Sequence, residues 1–250
     1  MTDLIKMNIF RLFKHKGFYI IHFVQLILIA IVTFVAIGTG DMANNDNYDI
    51  LEAFSSIVLP AMFVAVYGAI FTLDDFNSGY IKNIGGQVKT RSMVILSKAV
   101  ALAVSGLTFF VLYVIEELSI LLAFGVNLKV NNIKSVFGYL AVQSILMMTM
   151  SIFCMMVAFI IKKSAIAITV CVIIGGGMIE ELLTGLINDS VRQSVADFDL
   201  ARYTILGNIN GIHTFFPLGE QAPCALIVCV CFIVVSIALS CTVMKKRDIV

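Results

Sequence analysis

The chain has 250 residues, 60% hydrophobic and 13% charged, with a formal net charge of +1 and a mean hydropathy of +1.01. That is more apolar side chain than a soluble core of this size needs and less charge than a soluble surface needs, so composition excludes a soluble globular protein and leaves an integral membrane protein. The basic residues form short clusters between apolar runs instead of one stripe, which argues against nucleic acid as a partner.

The N-terminal stretch "TDLIKMNIFRLFKHKGFY" mixes Leu4, Ile5, Phe10, Leu12 and Phe13 with Lys6, Arg11, Lys14 and Lys16. It reads either as a helix over residues 1–17 lying in the headgroup layer or as a basic anchor for the first span. Six apolar segments of bilayer length follow, at about 20 helical residues each: Phe18 to Gly38, Phe54 to Leu73, Ala99 to Phe124, Val136 to Ile161, Ser164 to Leu183 and Ala222 to Val243. They are continuous apolar runs without period-two alternation, so helices are expected and a membrane β-barrel is not. The first run lacks a small-residue cleavage pattern and is read as a span, not a signal peptide.

With the N-terminus inside, thirteen of the seventeen Lys and Arg residues fall on the inner side, and Lys129, Lys134, Arg192 and Arg202 remain outside. The first outer loop, "DMANNDNYDILE", carries four acids and no base. The positive-inside rule then predicts both termini in the cytoplasm. Residues 184–221, between the fifth and sixth spans, are too long and too apolar in patches for a simple turn, so short outer helices or a re-entrant hairpin are expected there. The whole of 1–250 reads as one all-α, six-span membrane domain.

Several motifs fail. "GGQVKT", Gly85 to Thr90, has P-loop ingredients at the wrong spacing. Cys154, Cys171, Cys224, Cys229, Cys231 and Cys241 lie within predicted spans without CxxC spacing and read as reduced packing residues. Glu180-Glu181 resembles the acid pair of intramembrane CAAX-type proteases. The Arg expected four residues on is Gly185, however, and only His213 follows, so a two-His site for activating water cannot be assembled downstream. Gly175, Gly176 and Gly177 mark either close helix packing or a hinge.

Carboxylates in hydrocarbon are costly and tend to mark pathways or pairings. Counted along their helices, Glu116-Glu117 and Glu180-Glu181 fall near the outer interface. They are either water-facing acids at the rim or, with Glu220, an electronegative outer vestibule for a cationic substrate.

The segment 74–98 is a polar, mostly basic inner loop in which Asp75, Gly79, Lys82, Arg91 and Lys98 surround the apolar Phe76, Ile81, Ile84 and Val88. A short amphipathic helix across the inner face is expected. "DDFNSGYIKNIGGQVKTRSMVILSK" resembles the first cytoplasmic loop of ABC-2 type permeases, where an acid, a Gly four residues later, a short apolar helix, an Arg and a Lys opening the third span form the coupling helix. Asp75 stands where Glu is usual there, and Tyr80 where Thr is usual. "MNIFRLFKHKGFYI" is similar to the interfacial helix that begins those proteins, and the six-span plan matches over the whole chain.

The resemblance implies the membrane half of an ATP-binding cassette exporter, closest to permeases that export antimicrobial or amphipathic peptides. Its implied motor-coupling residues are Asp75, Phe76, Gly79, Lys82, Ile84, Arg91 and Lys98. The implied partners are nucleotide-binding ATPase subunits, a second or related permease, the bilayer of a bacterial cell membrane and a peptide substrate. No catalytic, cofactor or metal residue is implied in this chain; ATP and magnesium belong to the partner ATPase. A non-transporting membrane immunity or binding protein is the alternative, and an intramembrane protease a lesser one.

Overall fold

The computed structural model describes residues 1–39, 48–54, 58–80, 90–161, 163–191, 199–211 and 218–246. Two helices open it, α1 (Thr2–Lys14) and α2 (Lys16–Gly38), separated only at His15, whose extended backbone turns the chain from one into the other. A short strand β1 (Tyr48–Asp49) leads into the one-turn α3 (Ile50–Ala53), where Asp49 accepts a hydrogen bond from the Leu51 N–H and so caps the helix. Then come α4 (Val58–Asn77), α5 (Arg91–Ala123), β2 (Leu128–Lys129), α6 (Ile133–Ile160), α7 (Ser164–Gly175) and α8 (Met178–Val191). A 3-10 turn (Leu200–Tyr203), α9 (Ile205–Gly211) and α10 (Leu218–Lys246) complete the chain. β1 and β2 pair in parallel, Tyr48 with Leu128 and Asp49 with Lys129, tying together two loops about eighty residues apart in sequence.

Among the described residues five helices, α2, α4, α5, α6 and α10, are long and apolar enough to cross a membrane, and α7 with α8 makes a sixth if the bent pair is one span. The architecture is that of an all-α, multi-pass membrane protein. α6 is its axis, packing against α4, α5, α7, α9 and α10, whereas α2 touches only α1, α4 and α5 among its main neighbours. Accordingly 67% of the apolar window of α6 is buried within the chain but only 22% of that of α2 and 28% of that of α10. The outward faces of these last two helices, with Ile20, Phe23, Ile27, Ile31 and Phe34 on one and Ile227, Val230 and Val234 on the other, are apolar and suited to hydrocarbon.

The fifth segment is broken. α7 and α8 are set at 55° to each other across Gly176 and Gly177, and Gly177 has φ +82°, in the left-handed region that L side chains rarely adopt. Gly175, two residues before, serves close packing: a Cβ there would lie 2.8 Å from the Ala65 Cβ and 2.9 Å from the Met62 Cα of α4. Close packing thus falls at Gly175, and the bend at the two glycines after it. The chain after α8 returns to the bundle as short helices, and Ile205, Leu206, Asn208 and Ile209 of α9 are buried. Gln143 of α6 holds that segment by donating to the Ile209 carbonyl at 2.9 Å.

Candidate functional site

Two polar constellations interrupt the apolar bundle, and each is assembled from residues far apart in sequence. The first lies where α1 crosses the end of α4 and the start of α5. Asp75, in the last turn of α4 and 3% exposed, uses one carboxylate oxygen for each of two cations. Its Oδ1 accepts from Arg11 Nη2 at 2.8 Å, and its Oδ2 accepts from Lys98 Nζ at 2.6 Å. Lys98 is 1% exposed, donates also to the Phe71 carbonyl at 2.7 Å, and lies 3.6 Å from the centre of the Phe71 ring. The Arg11 guanidinium stacks 3.7 Å over the Tyr80 ring. Ring faces carry partial negative charge, so each aromatic side chain supplements the single carboxylate shared by two cations.

A hydrogen-bond chain extends the cluster. The Tyr80 hydroxyl donates to Asn8 Oδ1, Asn8 Nδ2 donates to Ser97 Oγ, and Ser97 donates to the Val94 carbonyl. Carbonyls at the end of α1 accept from tyrosines: Leu12, which also takes the His15 N–H, from Tyr67 at 3.3 Å, and Phe13 from Tyr19 at 2.8 Å. α1 thus binds the bundle through Asn8, Arg11 and Leu12, while Phe10 and Phe13 point outward. Burial alone would lower the Arg11 pKa, but Asp75 and Tyr80 outweigh it and hold the guanidinium charged. Burial raises the Tyr80 phenol, against the pull of Arg11.

This geometry revises the reading of the inner loop. Asp75 and Phe76 belong to α4, and Lys98 lies inside α5, so these three are parts of the bundle and not of an amphipathic helix on its face. The physical reason is that Asp75 gains two cations by turning inward. Phe76 packs edge-on to Phe159 of α6 at 5.3 Å. Gly79 has φ +69° and turns the chain away from α4. Lys82 and Ile84 lie outside the described residues, and Arg91 begins α5.

The second constellation joins α2 to α5. Phe18, His22, Gln25, Ile29 and Thr33 recur at helical spacing and form the buried stripe of α2, which is more polar than the face turned outward. Gln25 Nε2 donates to Glu116 Oε2 at 3.0 Å, and Thr33 Oγ1 to Glu117 Oε1 at 3.4 Å. His22 stacks on Phe109 with ring centres 3.9 Å apart. Glu117 is 1% exposed, so the expectation of two water-facing acids at the rim fails for it. Glu180 takes a partner elsewhere, the Thr204 hydroxyl before α9, and Glu181 is exposed. Glu116, Glu117 and Glu180 of the expected vestibule thus have separate partners. The Glu220 side chain and His213 lie outside the described residues.

Beside Glu180 a cavity of about 220 Å³ opens between α6, α7, α8, α9 and α10. It is lined by Met150, Phe153, Ile174, Ile179, Leu183 and Phe232 among others, and the Glu180 carboxyl and Thr204 hydroxyl are its polar features. Sequence reasoning found Glu180 but not Arg11, Asn8, Gln25, Thr33 or Thr204 as its kind of residue. For α2 a signal existed, since His22, Gln25 and Thr33 share one helical face. For the others no local signal does, because each partner comes from another helix.

No curated protein matches the chain. The model of one family, described as a protein of unknown function (DUF2705), matches residues 4–250, and the chain belongs to that family.

Proposed function

We propose that the chain is the membrane-spanning permease subunit of an ATP-binding cassette exporter, with six spans, both termini in the cytoplasm and its place in the cell membrane of a bacterium. Separate nucleotide-binding subunits would hold ATP and magnesium and dock on residues 78–91. Two such permeases, identical or related, would enclose the path of an antimicrobial or amphipathic peptide. This chain would carry no catalytic residue of its own.

The observation that supports this reading most is the Arg11–Asp75–Lys98 cluster at the roots of the loop. A segment that receives force from a motor must be joined stiffly to the helices it moves. Here the end of α4, the start of α5 and the interfacial α1 are linked through one buried carboxylate. A push on the loop would tilt all three together.

The test follows from the burial of Asp75, which makes it unsuitable as a surface variant. The tagged chain is purified in mild detergent after coexpression with its genomic neighbours, as wild type and as the Lys82→Glu, Arg91→Glu double variant. An ATPase should copurify with wild type, and its association should weaken at least tenfold in the variant, or about 1.4 kcal/mol, with the melting temperature unchanged. Absence of an ATPase, or a silent double variant, would overturn the reading in favour of a non-transporting membrane binding protein.

A further inference from the structure

α1 divides its charge between two faces. Arg11 turns inward to Asp75, and Asn8 and Leu12 are buried beside it. Lys6, Phe10, Phe13 and Lys14 follow one another at three- and four-residue spacing, so they share the opposite face, and all four are exposed. Phe10 is 64% exposed and Phe13 40%. Lys14 Nζ lies 5.6 Å from the centre of the Phe10 ring, so base and ring form one surface.

Position decides what this face meets. Only His15 separates α1 from α2, a helix apolar enough to cross a membrane, and Phe13 packs edge-on to the buried Phe18 of that helix at 5.6 Å. The outward face of α1 therefore lies where a span enters the bilayer. Single exposed phenylalanines are ordinary on a protein surface. Here, however, hydrocarbon would strand the lysine charges and water would wet both rings. The headgroup layer accommodates both, with the rings toward the acyl chains and the ammonium groups among the phosphates.

The charge of the patch selects among lipids. Lys6, Lys14 and Lys16 are exposed and make no ion pair among the described residues, and Asp3 is the one acid of α1. A zwitterionic headgroup brings its own cation and offers these lysines no net charge, whereas an anionic one does. We infer that the outward face of α1 binds anionic phospholipid, with Lys6 and Lys14 on the headgroup phosphates and Phe10 and Phe13 among the upper acyl chains. Lys16, at the start of α2, adds to the positive field. Because Arg11 ties the other face of α1 to Asp75, lipid held here also steadies the ends of α4 and α5. The site does not depend on the chain being a permease.

The chain has no tryptophan, so Phe10→Trp installs a single fluorescent reporter at an exposed position. The variant is placed in nanodiscs of phosphatidylcholine in which a rising fraction of the lipid is replaced by phosphatidylglycerol or by phosphatidylcholine, each brominated high on its acyl chains. Brominated phosphatidylglycerol should quench the reporter with an apparent affinity at least about fivefold that of brominated phosphatidylcholine, roughly what one lysine contributes at an anionic surface. Adding Lys6→Gln and Lys14→Gln should bring the two lipids level, and so should high salt, which screens exposed charges. Val230→Trp, on the outward face of α10, should be quenched equally by both lipids throughout. Phe13→Trp should report the same preference as Phe10→Trp, which keeps the test open if the latter fails to fold. Equal quenching by the two lipids, or a preference that survives the loss of both lysines, would overturn the site. Quenching by neither would put this face in water or against another protein and would overturn it as well. None of these outcomes bears on ATPase copurification.

Discussion

Replacing Asp75 with Asn should be among the most damaging single changes in the chain. The carboxylate is the only acid bonded to Arg11 and Lys98 among the described residues, and Lys98 has 2% of its side chain exposed. Removing one partner of a buried ionic group leaves uncompensated charge and costs about 3–5 kcal/mol. Here two cations lose their anion at once. Lys98→Met should cost less, because Asp75 keeps Arg11 and the methionine fills much of the lysine's volume. The double variant should lose less than the sum of the singles, since one buried cation has gone with the anion. Cys154, Cys171 and Cys229 are free and buried, so melting in detergent can be followed with a thiol-reactive dye that reports their exposure. A fall of about 10 °C or more is expected for Asp75→Asn, at roughly 2–4 °C per kcal/mol. A melting point within error of wild type would mean that the cluster does not hold α1 to the bundle.

That cluster also marks where the sequence was legible and where it was not. Hydropathy located the apolar runs, and most observed helices overlap the expected spans closely: α2 begins two residues before Phe18, and α6 ends one residue before Ile161. Lys98 reads as a boundary charge, so the third span is expected from Ala99. The helix in fact begins at Arg91, since a lysine that meets a carboxylate on the neighbouring helix need not stay in water. The fifth segment read as one span because periodicity is silent about a single left-handed residue. Only the run of three glycines hinted at the break.

Glu117 departs from the water-facing expectation for a related reason. Distance along a helix gives depth, and depth placed both Glu pairs near one interface. About 27 Å of helix does separate Lys98 from Glu116 at 1.5 Å per residue. Depth says nothing about rotation, and rotation decides whether an acid faces water or another helix. Glu117 faces Thr33, Glu116 faces Gln25, and Glu180 faces Thr204. In lipid a helix is driven less by burying apolar area than by satisfying its polar groups and packing closely. The stripe of α2 that faces inward is accordingly its polar one, the reverse of the pattern that an amphipathic soluble helix displays.

The same logic predicts opposite signs for one substitution at two glycines. At Gly106 of α5 an added Cβ would stand 2.6 Å from the Met147 carbonyl oxygen, 2.9 Å from its carbon and 3.0 Å from the Met148 Cα. All three are backbone atoms of α6, the axis of the bundle, and cannot turn aside as a side chain end would. Beside this contact the Ser105 and Ser151 hydroxyls lie 3.2 Å apart, so a shift of α5 would loosen that link as well. Gly106→Ala should therefore destabilise by about 1–3 kcal/mol, the range for overpacking, despite the roughly 1 kcal/mol that alanine gains in helix propensity. Gly106→Leu should be worse. At Gly185 of α8 an added Cβ meets nothing within 4 Å among the described residues, so Gly185→Ala should keep the propensity gain and melt at or above wild type. The dye-based melting assay compares the two directly. Equal effects would mean that α5 and α6 are not in backbone contact at Gly106, and the tight α5–α6 packing on which the axial role of α6 depends would have to be redrawn.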